Sequence, residues 1–275
     1  MSPILDQLAD LERRFGGLRR LYGDAGYARI RHARIAVVGL GGVGSWAVEA
    51  LARSGVRSLV LVDLDHVAES NINRQVQALG STLGMAKAQA LKARIADIHP
   101  GCNVQVVEEF ADASNWPALL GDEPIDALID ACDQGHAKRA LAAWALANTV
   151  PAVCVGAAGG KQQAQRVEVA DLADVTHDPL LASLRQRLRR DGAASPGQVK
   201  KGAAKFGLRC VFSREPVGRP VAECAVVGAV VGAVGELYPA PDGSLNCHGY
   251  GSSVTVTATF GLVAAGEALR LVMAV

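Results

Sequence analysis

No two of the six cysteines stand in a C-x-x-C pair; Cys102, Cys132, Cys154, Cys210, Cys224 and Cys247 are scattered singly. Structural zinc held by thiolates draws on such pairs, so none is expected. Aromatic residues are scarce, at 4%, which disfavours an aromatic-rich β-sandwich. Charge of one sign is lacking too. A net charge of +1 excludes a surface that coats nucleic acid along its whole length, while leaving room for a local basic patch. The first ten residues carry Asp6 and Asp10 and no basic start before an apolar run. No secretory leader is therefore expected, and the reading is a cytoplasmic protein with reduced thiols. A long uncharged apolar run is missing as well. Residues 254–275 come nearest, but they hold Thr255, Thr257, Thr259, Glu267 and Arg270. Charges inside a membrane span are costly. The segment reads as a buried helix or strand–helix of the core, with membrane association the minor alternative.

What is abundant is glycine, 30 of 275 residues, beside short β-branched runs. Half the residues are hydrophobic, enough for a sizeable core in one large domain or two small ones. Residues 1–31 read as an N-terminal helical arm in which Arg13, Arg14, Arg19 and Arg20 cluster. Residues 32–160 read as a nucleotide-binding core, and 161–275 as a C-terminal extension of the same domain. In the core, Arg34 to Val38 is a strand ending at Gly39, followed by a helix over Val43 to Ser54. Leu59 to Val62 is a second strand, ending at Asp63. Gly84 to Ile98 has helical period, since Ala88, Leu91, Ile95 and Ile98 share one face before Pro100 and Gly101 stop it. Strands follow at Val104 to Val107, Ile125 to Ile129 and Pro151 to Val155, with a helix over Gly135 to Asn148.

Strands and helices alternating at this spacing predict an α/β fold: a Rossmann-like, doubly wound, mostly parallel sheet with an added C-terminal α+β segment. In that segment Gln165 to Val169 and Leu208 to Ser213 read as strands, and Leu180 to Arg190 as a basic helix. Ala193 to Lys205 reads as a loop, and Pro216 to Tyr250 has no clear period. Ligand groups in such a fold gather at the C-terminal ends of the strands.

Gly39-Leu-Gly41-Gly42-Val-Gly44 follows a strand and opens a helix. The glycines permit a tight turn, close approach of backbone to a phosphate, and packing of helix on sheet. Asp63, ending the second strand, is placed to accept hydrogen bonds from ribose hydroxyls. Asp65, Asn71, Arg74 and Gln75 follow, and Lys87 stands in the next helical run. A dinucleotide's pyrophosphate is served by backbone N–H groups. A guanidinium fork and an ammonium together suit a triphosphate whose leaving pyrophosphate gains charge. Asp130 and Asp133, at the end of the fourth strand, offer carboxylates for Mg²⁺ shared with phosphates.

The run G-x-G-G-V-G-S, V-D-x-D, N-x-N-R-Q, a helical Lys and D-x-x-D resembles the ubiquitin-activating-enzyme-like (ThiF/MoeB/HesA) adenylyltransferases over about Arg14 to Gly160. Over nearly the whole chain, Arg14-Phe-Gly-Gly, Arg20-Leu-Tyr-Gly, Gly156-Ala-Ala-Gly-Gly160, Asp178-Pro-Leu-Leu, Cys210-Val-Phe-Ser213 and Val256-Thr-Ala-Thr-Phe-Gly261 resemble the tRNA threonylcarbamoyladenosine dehydratase branch. The resemblance implies an adenylation fold, and ATP and Mg²⁺ as cofactors. It implies cyclisation of threonylcarbamoyladenosine beside the anticodon of ANN-decoding tRNAs, through an acyl-adenylate. The ring formed is an oxazolone or a hydantoin. It implies a homodimer in which an N-terminal arginine, Arg20 foremost, reaches the neighbouring subunit's ATP, and a link to a cysteine desulfurase system. Asp63 would hold the ribose, Asn71, Arg74 and Lys87 the phosphates, and Asp133 the metal. The expected tRNA contacts are Arg185, Arg187, Arg189, Arg190, Lys200, Lys201 and Lys205.

Three rivals stand beside this reading. The first is an adenylyltransferase acting on the C-terminus of a sulfur-carrier protein, a branch that commonly carries two C-x-x-C pairs. The second is a nicotinamide oxidoreductase. The third is a binding module that keeps the fold alone. Cys210, in an apolar run, reads as a buried thiol rather than a sulfur relay. His136, His177 and His248 lack metal spacing and read as structural or surface residues.

Overall fold

β1 (Arg34–Val38), β2 (Ser58–Val62), β4 (Ala127–Asp130) and β5 (Ala152–Val155) are short, apolar and buried along their whole length. Strands of that kind need helices on both faces, which is the setting of a parallel sheet. A computed structural model describes residues 10–192, 205–218 and 250–274. The expectations placed on Lys200, Lys201, Cys224, Cys247 and His248 lie outside these residues, as does most of the two stretches read as loop and as aperiodic.

With β3 (Asn103–Val107), β6 (Val167–Asp171) and β7 (Arg209–Ser213) the sheet has, among the described residues, seven strands in the order β3-β2-β1-β4-β5-β7-β6. All neighbours are parallel except β6, which runs antiparallel to β7. This is the doubly wound, mostly parallel sheet expected. The order reverses direction between β1 and β4, so the chain leaves those two strands toward opposite sides and opens a crevice between their ends.

Helices α1 (Leu11–Phe15) and α2 (Gly17–His32) form the arm, tied down by arginines. Arg14 donates to the carbonyls of Asp97 and Ile98 at 2.8 and 2.7 Å, capping the end of α4 (Lys87–Ile98). Arg29 donates to the Met273 carbonyl. α3 (Gly44–Arg53) and the last helix, α7 (Val254–Ala274), pack together on one face, while α5 (Gly135–Ala147) and α6 (Pro179–Arg190) pack on the other. A Cβ on Gly261 would lie 2.4 Å from the Val43 carbonyl oxygen and 2.8 Å from Trp46 Cβ, so glycine there sets how closely α7 approaches α3. The apolar segment at the end of the sequence is thus one continuous helix of the core. It is long and apolar enough to cross a membrane, yet over half of its most apolar 18-residue window is buried in the fold. Its Glu267 carboxylate is paired with Arg209 and Arg270.

Three boundaries differ from expectation by two residues or more. The strand expected over Gln165 to Val169 runs instead from Val167 to Asp171, because residues 164–166 form a tight turn in which Arg166 N donates to the Gln163 carbonyl. The fourth strand begins at Ala127 rather than Ile125, because the Asp126 carboxylate takes the Arg34 N–H at 2.7 Å where a strand carbonyl would otherwise stand. The helix expected from Gly84 begins at Lys87. Residues 84–86 instead bond back to the loop after β2, with Gly84 N donating to the Val67 carbonyl and Val67 N to that of Met85.

Candidate active site

The crevice between β1 and β4 is a cleft of ≈ 1050 Å³. Gly39 has φ of 85°, and a Cβ there would sit 2.8 Å from backbone atoms of Ala131 and Cys132. A Cβ on Gly44 would be 1.8 Å from the Gly39 carbonyl oxygen. These two glycines are demanded by the turn. Gly41 is not: a Cβ on it would meet nothing within 4 Å. Its bareness leaves backbone open to something arriving in the cleft, as a phosphate site requires.

Asp63 is buried at the end of β2, and its carboxylate accepts from Leu40 N at 2.6 Å and Asp65 N at 2.8 Å. Burial pushes its carboxyl above the usual range, with Lys87 and the two backbone donors opposing. Lys87 Nζ lies 2.6 Å from Asp65 Oδ2, and Lys87 N donates to the Asp65 carbonyl. The bonding of 84–87 onto 65–67 therefore brings a lysine from a distant helix to the lip of the cleft. Asn71 is buried and its side chain accepts from Ala68 N, so its amide shapes the turn that presents Arg74. Gln75 also lines the cleft; its side-chain oxygen accepts from Gln77.

Arg74 is 8% exposed, and its Nη1 donates to the Ser70 carbonyl at 2.6 Å and to Asn73 Oδ1. Among the described residues its Nε has no partner, and neither has the hydroxyl of fully buried Thr257 on α7. Both residues flank Gly42, whose built Cβ would meet Arg74 Cγ and Thr257 Cγ2 at 3.2 and 3.3 Å. Leaving such atoms unpaired costs about 1–3 kcal/mol each. Both residues line the cleft beside the glycine turn, but the two unpaired atoms themselves lie buried beneath its wall, so they reach an anionic oxygen only where that wall gives way. Thr257 escaped the sequence reading because its segment signalled only apolar core.

At the end of β4 one expectation is corrected. Asp130 does not face the cleft. It is buried, 2.9 Å from Lys138 Nζ, and both side chains are almost wholly excluded from solvent. The thiols of Cys132 and Cys154 also donate to its carboxylate. Burial works to lower the Lys138 pKa, but adjacent Asp130 holds it above the lysine range. Lys138 was missed because in sequence it is one more cation in a helix. Asp133, three residues on, is exposed, lines the cleft and has no ion pair among the described residues. Its hard, free oxygens fit a divalent cation that shares its coordination with phosphates. Among the described residues no His, Cys, Asp and Glu group forms a metal cage.

The far wall of the cleft is α6. Asp178 caps it, accepting from Leu181 N and from Ala157 N, each at 2.9 Å. A Cβ on Gly156 would fall 2.0 Å from that carboxylate, so the glycine run after β5 is cut to fit the cap. The basic residues of this region do not act as one patch. Arg185 donates to the Leu172 and Val175 carbonyls, Arg189 lies over the Phe206 ring, and Lys205 is paired with Asp174. Arg185 and Lys205, read from sequence as tRNA contacts, are thus engaged within the chain. Arg190 is exposed, and Arg187 lines the cleft. Arg20 is exposed on α2 and does not line the cleft of its own chain, whereas Arg14 and Arg19 are engaged by neighbours. Cys210 is fully buried and its thiol is pushed up by burial. His136 is exposed, and His177 has φ of 58° with its carbonyl accepting from Lys161.

Comparison with known proteins bears on this arrangement. The model of the ThiF family matches residues 14–275. The chain is 41% identical over 263 residues to the tRNA threonylcarbamoyladenosine dehydratase of Escherichia coli, covering 95% of this chain and 94% of that protein. It is 36% identical over 267 residues to the same-named protein of Haemophilus influenzae, covering 97% and 95%. The crystal structure of the Escherichia coli enzyme in complex with ATP superposes with a TM-score of 0.80 at 39% identity, covering 97% of this chain and 96% of that one.

Proposed function

The chain belongs to the ThiF family, and we propose that it is a tRNA threonylcarbamoyladenosine dehydratase, which uses ATP to close the threonylcarbamoyl side chain of the modified adenosine into a ring with net loss of water. The observation that carries this reading is the meeting of Arg74, Lys87 and Asp133 on one glycine-lined cleft, in a chain matched to bacterial dehydratases over nearly its full length.

The glycine turn and the start of α3 receive the phosphates on backbone N–H groups. Asp63 takes the ribose hydroxyls. The threonyl carboxylate attacks the α-phosphorus and the bond to the β-phosphate oxygen breaks, so pyrophosphate leaves and an acyl-adenylate remains. Arg74, Lys87 and the Thr257 hydroxyl stabilise charge as it moves onto the leaving group. Asp133 would hold Mg²⁺ together with the phosphates, and when bound that ion supplies Lewis-acid stabilisation of the same charge. An atom of the urea group in the same nucleoside then attacks the activated carbonyl, and AMP departs with the former carboxylate oxygen. Both partners of that second step belong to one molecule, where effective molarities reach about 10⁵–10⁸ M. No enzyme thioester is needed, in keeping with the burial of Cys210. Partnership with a cysteine desulfurase system lies outside these two steps.

ANN-decoding tRNA would approach the α6 side, where Arg190 is exposed. A homodimer would let Arg20 serve the neighbouring cleft, a role for which its exposure leaves it free. Residues 161–275 work as an extension of the core domain, supported by β7 joining the sheet beside β5. The setting is cytoplasmic, where tRNA and ATP meet. Purified protein mixed with ATP, Mg²⁺ and threonylcarbamoylated tRNA should yield a nucleoside lighter by one water in mass spectrometry. An unchanged nucleoside, alongside adenylation of a Gly-Gly-ended carrier protein, would refute the reading.

A further inference from the structure

The cleft is larger than its nucleotide machinery occupies. At ≈ 1050 Å³ it reaches the top of the range for small-ligand sites, about 300–1,000 Å³. The residues assigned to ATP come from the ends of β1, β2 and β4, the turns behind them, the start of α4, and α7. The wall made by α6 has no role in that set. Along α6, Leu180, Ser183 and Arg187 line the cleft while Leu181, Leu184 and Leu188 are buried in the core. This is the two-faced pattern of a helix with one side to the core. Arg187 is the one charged residue this wall gives to the cleft among the described residues. Its Nη1 lies 3.9 Å from where a side chain on Gly135 would begin, two residues past Asp133.

Arg187 is half-buried and makes no side-chain ion pair or hydrogen bond among the described residues. Its neighbours Arg185 and Arg189 are engaged within the chain. A guanidinium partly withdrawn from water and unpaired calls for an anion that arrives. The planar fork suits a carboxylate, which it can grip through two parallel bonds. On the proposed function, ATP's phosphates already have Arg74 and Lys87, which line the cleft from elements other than α6. The RNA backbone is better met by Arg190, exposed at the helix end. We infer, on the dehydratase reading above, that Arg187 holds the threonyl carboxylate of the RNA substrate. It thereby selects threonylcarbamoylated over unmodified adenosine and orients the nucleophile of the first step.

The test uses two anticodon stem–loops, one threonylcarbamoylated and one with plain adenosine, bound to the full chain in the presence of a non-hydrolysable ATP analogue. Wild type should prefer the modified hairpin, on the order of 10- to 100-fold for one charge-assisted contact. Arg187→Gln should erase that preference while affinities for the plain hairpin and for ATP stay unchanged, and Arg187→Lys should restore part of it. Equal weakening toward both hairpins would make Arg187 a backbone-phosphate contact and overturn the inference. Weakened ATP binding would make it a nucleotide contact, with the same consequence. Cyclisation of the modified hairpin separates the two levels. A wild type that fails to dehydrate it sinks the dehydratase reading. A wild type that dehydrates it, with Arg187→Gln showing an unchanged KM, leaves that reading standing and removes this one.

Discussion

At the scale of single residues, the site stores its affinity in polar atoms that the fold leaves unpaired. Among the described residues the Thr257 hydroxyl is fully buried without a partner, so Thr257→Val removes a stability cost and, on the proposed function, a ligand contact with it. Urea denaturation of that variant should show unchanged or greater stability, by up to about 1 kcal/mol, while calorimetry shows ATP affinity lower by roughly tenfold or more. Unchanged ATP affinity would mean the hydroxyl does not meet the nucleotide. Lys138 behaves oppositely, since its partner Asp130 is as deeply buried. Lys138→Met leaves that carboxylate alone in the core and should cost about 3–5 kcal/mol, much of it recovered when Asp130→Asn is added. His99 gives a pH signature. Burial, then the nearby Arg31 charge, holds it down at about 4 from an ordinary 6.5. The folded chain therefore binds this proton less readily than the unfolded one, and stability contributed above pH 6.5 is lost as pH falls toward 4. Denaturant midpoints should drop between pH 7 and pH 5, and His99→Gln should flatten that drop.

Among the elements, the pairing of α7 with α3 depends on Gly261, whose place admits no side chain. Gly261→Leu should cost about 1–3 kcal/mol through overpacking. It should also weaken ATP binding, because α7 carries Thr257 to the cleft; a thermal melt and a calorimetric titration check the two effects. The strands were legible in sequence because buried parallel strands leave runs such as Ile35-Ala-Val-Val38, and the glycine turn because its residues sit between a strand and a helix. Gly39, Asp63 and Asp133 could be placed by chain position, since the ends of β1, β2 and β4 converge, whereas Arg74 and Lys87 rested on their residue types and on the resemblance. What was not legible depends on partners that the local pattern does not announce. Asp130 and Asp133 look alike until Lys138 is seen beneath the first. The start of α4 looked like helix until residues 84–86 were found bonded to the loop after β2. Four arginines on α6 read as one basic face until carbonyls, a ring and the cleft divided them.

For the whole molecule, near-neutral charge limits how the chain meets a polyanion. A net charge of +1 leaves tRNA binding to a few local cations, and each phosphate neutralised adds about 0.7–0.9 to the salt slope of log affinity. Arg190→Gln should lower that slope by roughly one such step without touching ATP affinity; an unaltered slope would place the RNA elsewhere. The central claim is that the cleft turns a carboxylate into an acyl-adenylate before the ring closes. Oxygen-18 placed in the threonyl carboxylate of the tRNA tests it most directly, with the products of one turnover analysed by mass spectrometry. The account predicts one labelled oxygen in AMP. Label in released phosphate or pyrophosphate, with none in AMP, would contradict it.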